Sequence, residues 1–255
     1  MFTPSPPIVH LFGPFDPSGA GSLPADAVSC AALGCHALGT VTSVLVRDTA
    51  NTEEIQPVQP ELIDDQARSL LEDMPVQAIK VGALHSLDAV SVIAQIAADY
   101  ASVPLILQLE PLADESLLSD TDPEDLLGAV MELVLPLAHL AIADHALLQQ
   151  WRDQGILPGD TGGDPIAQAL LDYNPRWVLV NGMPLRPGQL AHMLYGQDGE
   201  IASWTQGPAA TRVLDANGPL TCAILAQLAQ GRDVRQAIDA ALPIATELAS
   251  RQFQP

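Results

Sequence analysis

Cations are scarce in this chain. Over 255 residues, ten Lys and Arg face 31 Asp and Glu, for a net charge of -21, and Lys80 is the only lysine. Such an excess repels phosphate backbones and no basic run interrupts it, so nucleic acid is not an expected partner. Charged residues make up only 16%, against a usual share of roughly 25%. The 48% hydrophobic share excludes disorder. Three cysteines, Cys30, Cys35 and Cys222, form no CxxC pair, and an odd number fits a reducing cytoplasm. The first residues show no signal-peptide pattern, and no apolar run is long enough to span a membrane. Six histidines show no HExxH spacing, so no transition metal is expected. Gly-x-Ser-x-Gly, Walker A and dinucleotide fingerprints are missing too.

The acidity has two readings, adaptation to a salty cell or a codon bias toward Arg, Ala and Asp. Melting in KCl separates them. Haloadaptation predicts a melting temperature that climbs toward molar salt as self-repulsion is screened; a flat or falling curve supports codon bias.

Strand-like and helix-like stretches alternate. Ile8 to Gly13, Leu38 to Val46, Glu54 to Val58, Ala78 to Gly82, Pro104 to Leu109, Leu140 to Ala143 and Trp177 to Val180 read as strands. Between them, helices are expected at Leu23 to Leu33, Pro60 to Asp73, Ser86 to Tyr100, Asp122 to Leu135, His145 to Trp151 and Pro165 to Tyr173. Leu62, Ile63, Ala67, Leu70 and Leu71 are expected to share one apolar face. A hairpin through Gly196-Gln197-Asp198-Gly199 joins Gln189–Tyr195 to Glu200–Trp204, and helices Pro219 to Ala229 and Asp233 to Ser250 follow, the last kinked at Pro243. This order predicts one α/β domain over residues 1–255, its mostly parallel sheet covered on both faces and ending in antiparallel strands.

Asp16-Pro17-Ser18-Gly19-Ala20-Gly21 lies between the first strand and the first helix, where ligands bind in open α/β sheets. With Ala25-Asp26, Ala32-Leu33-Gly34, Thr40-Val41-Thr42 and Lys80-Val81-Gly82, it resembles the hydroxymethylpyrimidine and phosphomethylpyrimidine kinases of thiamine biosynthesis. The resemblance runs over nearly the whole chain. It implies a ribokinase-like three-layer α/β/α fold, phosphorylation of a pyrimidine alcohol or its phosphate with ATP and Mg²⁺, and a homodimer. It places the substrate against Gly13, Asp16, Gly21, Asp26 and Arg47, and nucleotide phosphates against Asn181, Gly182, Asn217 and Gly218. By its residue type alone, Asp26 is either a hydroxyl acceptor or an exposed or capping carboxylate.

Several positions depart from the family pattern. Arg47 replaces a Gln that reads the pyrimidine edge. It therefore implies an anionic ligand or a pairing with Asp48 or another carboxylate. Gln108 replaces an Asp, with Glu110 two residues on along the same strand face. His145 and Leu148 replace an Asn and a Glu near the phosphates and Mg²⁺, and Asn181 replaces a Lys. In the family's catalytic turn, Pro219 and Leu220 replace Thr and Gly, and Thr221 falls at the Cys base. Cys222 is one residue late, about 100° around the helix. Asp215 is the candidate substitute base. The resemblance thus carries a degenerate catalytic motif, and its alternative is a family member acting as a small-ligand-binding or protein-interaction module. Thr161-Gly162-Gly163-Asp164 reads as a Gly-rich loop or a helix cap, and Phe12, Phe15 and Trp204 as pocket or core.

Overall fold

The computed structural model describes residues 5–118, 121–158, 165–205 and 217–251; Asp215 and the Thr161–Asp164 segment lie outside the described residues. The strands are β1 (Ile8–Phe15), β2 (His36–Arg47), β3 (Thr52–Pro57), β4 (Ala78–Val81), β5 (Leu105–Gln108), β6 (Leu140–Asp144), β7 (Val178–Arg186), β8 (Gln189–Gly196) and β9 (Gly199–Thr205). They form a sheet in the order β3-β2-β1-β4-β5-β6-β7-β8-β9. The six strands from β2 to β7 in this order are parallel; β3 at one end and β8 and β9 at the other run antiparallel.

The helices are α1 (Ser22–Ala32), α2 (Pro60–Asp73), α3 (Leu87–Asp99), α4 (Pro123–Ala129), α5 (His145–Asp153), α6 (Gln168–Leu171), α7 (Gly218–Ala229) and α8 (Val234–Arg251). Strand alternation splits the core in two. Ile79, Val81, Leu105, Leu107, Ala141 and Ala143 pack under α2 to α6. Ala78, Ile106, Leu140 and Ile142 pack under α1, α7 and α8. Covered on both faces, these strands read as continuous apolar runs. Lys80 breaks the pattern, because its position on β4 faces the second core and it is only 1% exposed. All twelve residues of α7 are buried, which explains its near-unbroken apolar sequence.

Some boundaries differ from the sequence reading, each for a local reason. The expected helix from Asp122 to Leu135 ends at Ala129, passes through a wide turn at Val130–Val134 and tightens at Leu135–Leu137. Pro136 cannot donate to the helical ladder, so the hydrogen-bonding pattern changes before it. On α2, Leu62 points outward at 51% exposure and Ile63, Ala67 and Leu71 form the buried stripe. α6 is shorter than expected, and the chain turns at Asn174, whose φ is 67°. β7 runs on to Arg186 through a bulge at Gly182, whose φ is 69°. Pro184 is tolerated there because β6 ends opposite Asn181, leaving that side of β7 without a ladder to break.

The hairpin between β8 and β9 depends on one glycine. A Cβ at Gly196 would lie 2.7 Å from Cζ3 of Trp177 and 3.1 Å from its Cε3. Gly196→Ala should therefore cost about 1–3 kcal/mol through overpacking. It would appear as a lower urea midpoint at unchanged m-value.

Candidate functional site

The ends of β1, β2, β4, β5, β6 and β7 share the carboxyl edge of the sheet. The chain leaves β1 toward β2 on one side and returns to β4 on the other, so the edge above β1 and β4 is the topological switch point. The loops meet there: the Gly82 N–H donates to the Phe12 carbonyl at 2.9 Å. A Cβ on Gly82 would lie 3.5 Å from Oε1 of Glu110, which brings the end of β5 to the same place.

Asp16 anchors the loop after β1. It is 1% exposed, and its Oδ1 accepts the Ser18 N–H at 2.8 Å while its carbonyl accepts the Gly19 N–H at 3.1 Å. Gly19 at φ 69° and Ser22 at φ 54° are both left-handed, and the second is unusual for a residue with a Cβ. Together they deliver Gly21 as the N-cap of α1 with no side chain capping the helix, so its first N–H groups face the loop. From the end of β2, Nη1 of Arg47 lies 3.6 Å from Oδ2 of Asp16, and its Nε donates to the Asp48 carbonyl at 3.0 Å. Arg47 thus pairs with a carboxylate at the loop. Gly13 lies within β1 rather than in the loop, paired with Val41, since the strand runs on to Phe15.

Asp26 is neither an exposed nor a capping residue. Only 5% exposed, it accepts the Lys80 ammonium on Oδ2 at 2.5 Å and the Cys222 thiol on Oδ1 at 3.1 Å. Its carboxylate is thus committed between α1, β4 and α7. The resemblance gives Thr221 and Cys222 catalytic places in the first turns of α7. Both are 0% exposed, because α7 is enclosed on every side. A hydrogen bond with Cys30, burial and the Asp26 charge raise the Cys222 thiol well above its usual range, against the opposing pull of Lys80. Cys222 is therefore held protonated. Oγ1 of Thr221 is buried with no hydrogen-bond partner.

On the phosphate side, side chains bond to each other across the edge. Nδ2 of Asn181 donates to Oδ1 of Asn217 at 2.7 Å, and Nδ2 of Asn217 donates to Oδ2 of Asp144 at 3.1 Å. His192, on β8, pairs its Nδ1 with Oδ1 of Asn181 at 2.8 Å. With the amide oxygen facing it, the ring donates from Nδ1. Asn217 is the N-cap residue of α7 but does not cap it. Gly182 supplies the left-handed bulge just beyond Asn181. Gln108 donates to Glu110 at 3.0 Å, so the two side chains do share one side of the β5 end. The sequence reading missed Asp144 and His192, which carry no motif, and the pair formed by Ser43 and His85 at 2.8 Å.

Burial lowers the pKa of His10, His85 and His192 from 6.5 to about 4. Between those values the unfolded chain binds protons that the folded chain refuses. Their contribution to stability is whole above pH 6.5 and declines as pH falls toward 4. Urea midpoints should therefore fall steadily from pH 6.5 to 5; a flat profile there would contradict the burial of these rings.

The phosphomethylpyrimidine kinase family model matches residues 16–255. The chain belongs to this family. It is similar to a hydroxymethylpyrimidine/phosphomethylpyrimidine kinase of Streptomyces coelicolor, at 28% identity over 93% of this chain and 86% of that protein. The like-named Mycobacterium tuberculosis enzyme is 29% identical over 92% of this chain and 85% of its own length. Among solved structures, the phosphomethylpyrimidine kinase of Clostridium difficile superposes with a TM-score of 0.74 at 18% identity, covering 95% of this chain and 98% of that one. The pyridoxal kinase of Staphylococcus aureus in complex with AMP-PCP gives 0.78 at 16% identity, covering 98% and 90%. The fold is thus ribokinase-like, with a mostly parallel sheet and a late antiparallel hairpin.

The side chain at position 148 cannot hold the Mg²⁺ that the family resemblance implies. Leu148, at the position of the family's Glu, is 0% exposed and packed in the core. The nearby Asp144 carboxylate accepts from Asn217. Among the described residues, no three His, Cys, Asp or Glu side chains gather as a metal site.

Proposed function

We propose that this protein binds a hydroxymethyl-substituted pyrimidine or its phosphate at the carboxyl edge and transfers phosphate to it poorly. The turn into α7 carries this reading. There Pro219 stands in place of one N–H donor, Leu220 in place of a glycine and Thr221 in place of a thiol, and Asn217 is engaged with Asn181 and Asp144. Phosphoryl transfer relies on positioned donors and charge, and proline removes a donor outright. Leu220 adds a Cβ where the family's glycine lets a phosphate approach. Retained binding is supported by the opening loop, which matches the family without a gap from Asp16 to Asp26, and by the uncapped start of α1. ATP would be the nucleotide, as the neighbour holding AMP-PCP suggests.

A second reading is an ordinary kinase with a displaced base. The family match across residues 16–255 favours it. Calorimetry with the pyrimidine alcohol and its monophosphate, beside an ADP-release assay with Mg-ATP, separates the two. Saturable binding with little ADP release is the expected result. Turnover of ~1–100 s⁻¹, the usual kinase range, would establish the second reading. Failure of both pyrimidines to bind would overturn the first.

A further inference from the structure

The opposite edge of the sheet holds a cavity of its own. A cleft of 1390 Å³ runs across the amino ends of the parallel strands, past Gln77, Pro104, His139 and Trp177, each of which immediately precedes a strand. The turn between α7 and α8 forms one wall. Three of the nine arginines of the chain line this cleft: Arg176, Arg232 and Arg235. Among the described residues, Asp233 is the only acidic one lining the cleft, and its Oδ1 already accepts the Gln236 N–H at the start of α8. The cleft therefore reverses the charge balance of the chain, although the three arginines form no run in the sequence.

No ion pair among the described residues accounts for these cations. Among the described residues, no carboxylate lies within ion-pair distance of any of the three, although acidic residues outnumber basic ones threefold over the chain. Arg68 shows the usual outcome, with Asp64 and Asp99 on its guanidinium. Arg232 follows the carboxyl end of α7, where a cation suits the helix dipole. Arg235 is the second residue of α8, where the dipole opposes one. Its position is not explained by helix stability.

We infer that this cleft binds a small phosphorylated molecule, at a site separate from the carboxyl edge. Guanidinium forks match phosphate oxygens two at a time. His139 lines the same cleft half-buried, and burial and the Arg176 charge lower its pKa, so it offers a neutral ring to hydrogen-bond. Trp177 supplies a partly exposed aromatic surface, and Asn174 and Gln197 supply amides. The open cleft is wide enough to admit a phosphorylated metabolite. The inference does not depend on the proposed function.

The test is calorimetric titration of the full chain with inorganic pyrophosphate at low salt, with citrate in parallel. The expected result is saturable 1:1 binding of pyrophosphate, tighter than citrate. An R232Q/R235Q variant should weaken it at least tenfold, since a hydrogen bond to a charged group typically contributes that much. Both side chains are exposed, so melting should be unaffected; R176Q provides an independent second variant. An Arg47→Gln control should leave pyrophosphate binding intact. Loss in that control with retention in R232Q/R235Q would move the anion to the other edge and overturn the inference. Tighter binding of citrate would overturn the phosphate assignment. Absence of saturable binding, or a doubled sedimentation mass without anion uptake, would overturn it altogether.

Discussion

Lys80→Met should destabilise the fold by about 3–5 kcal/mol, the usual cost of removing one partner from a buried ion pair. The ammonium meets Asp26 at 2.5 Å between a strand and a helix 54 residues apart in sequence. Without it, a carboxylate remains where both residues are at most 5% exposed. The Cys222 thiol at 3.1 Å still donates, but a neutral group cannot balance the charge. The double variant Lys80→Met/Asp26→Leu should recover most of the loss, because apolar groups of similar size fill such a site well. Urea unfolding of the wild type, both single variants and the double variant gives the coupling energy directly. A Lys80→Met cost below about 1 kcal/mol, the range of exposed pairs, would refute the burial of this pair.

The second large effect concerns phosphoryl transfer. Losing one donor to a developing charge typically costs about 2.7–4 kcal/mol, or 10² to 10³ in rate. At least two changes act together here: Pro219 lacks an N–H, and Asn181 replaces a cation. ADP release should therefore fall more than 10³-fold below the ~1–100 s⁻¹ of ordinary kinases. Restoring the family turn with Pro219→Thr, Leu220→Gly and Thr221→Cys should raise the rate at least tenfold. Asn181→Lys added to that variant should raise it further. If the triple change lowers an already ordinary rate, the native turn is catalytic as it stands.

The layered fold was legible because periodicity is local. Pro60 opening α2 and the Ser86 side chain capping α3, where it accepts the Ala89 N–H at 3.2 Å, are decided by neighbours in the chain. Long-range pairing was not legible. Lys80 reads only as the start of a short motif, and its partner follows from the side of β4 it occupies and the helix packed there. Cys222 and Asp26 are 196 residues apart, and nothing near either announces the contact. The same holds for Arg176 and Arg235, which enter one cleft from a strand approach and a helix start. Arg47 lies between these cases, because its residue type announced a need for an anionic partner while Asp16, 31 residues earlier, is supplied only by the fold.

The two lateral borders of the sheet have a bearing on self-association. β3 offers six residues, with Glu53 and Glu54 side by side and Pro57 at its end, while β9 carries Glu200 near its start. A second copy approaching border to border to extend the ladder would bring carboxylate against carboxylate, in a molecule already at -21. A short, acidic, proline-terminated margin such as β3 discourages such stacking into continuous sheets. Any dimer that the family resemblance implies is thereby steered toward helix-bearing faces, and the chain is guarded against fibrous growth through its own strands.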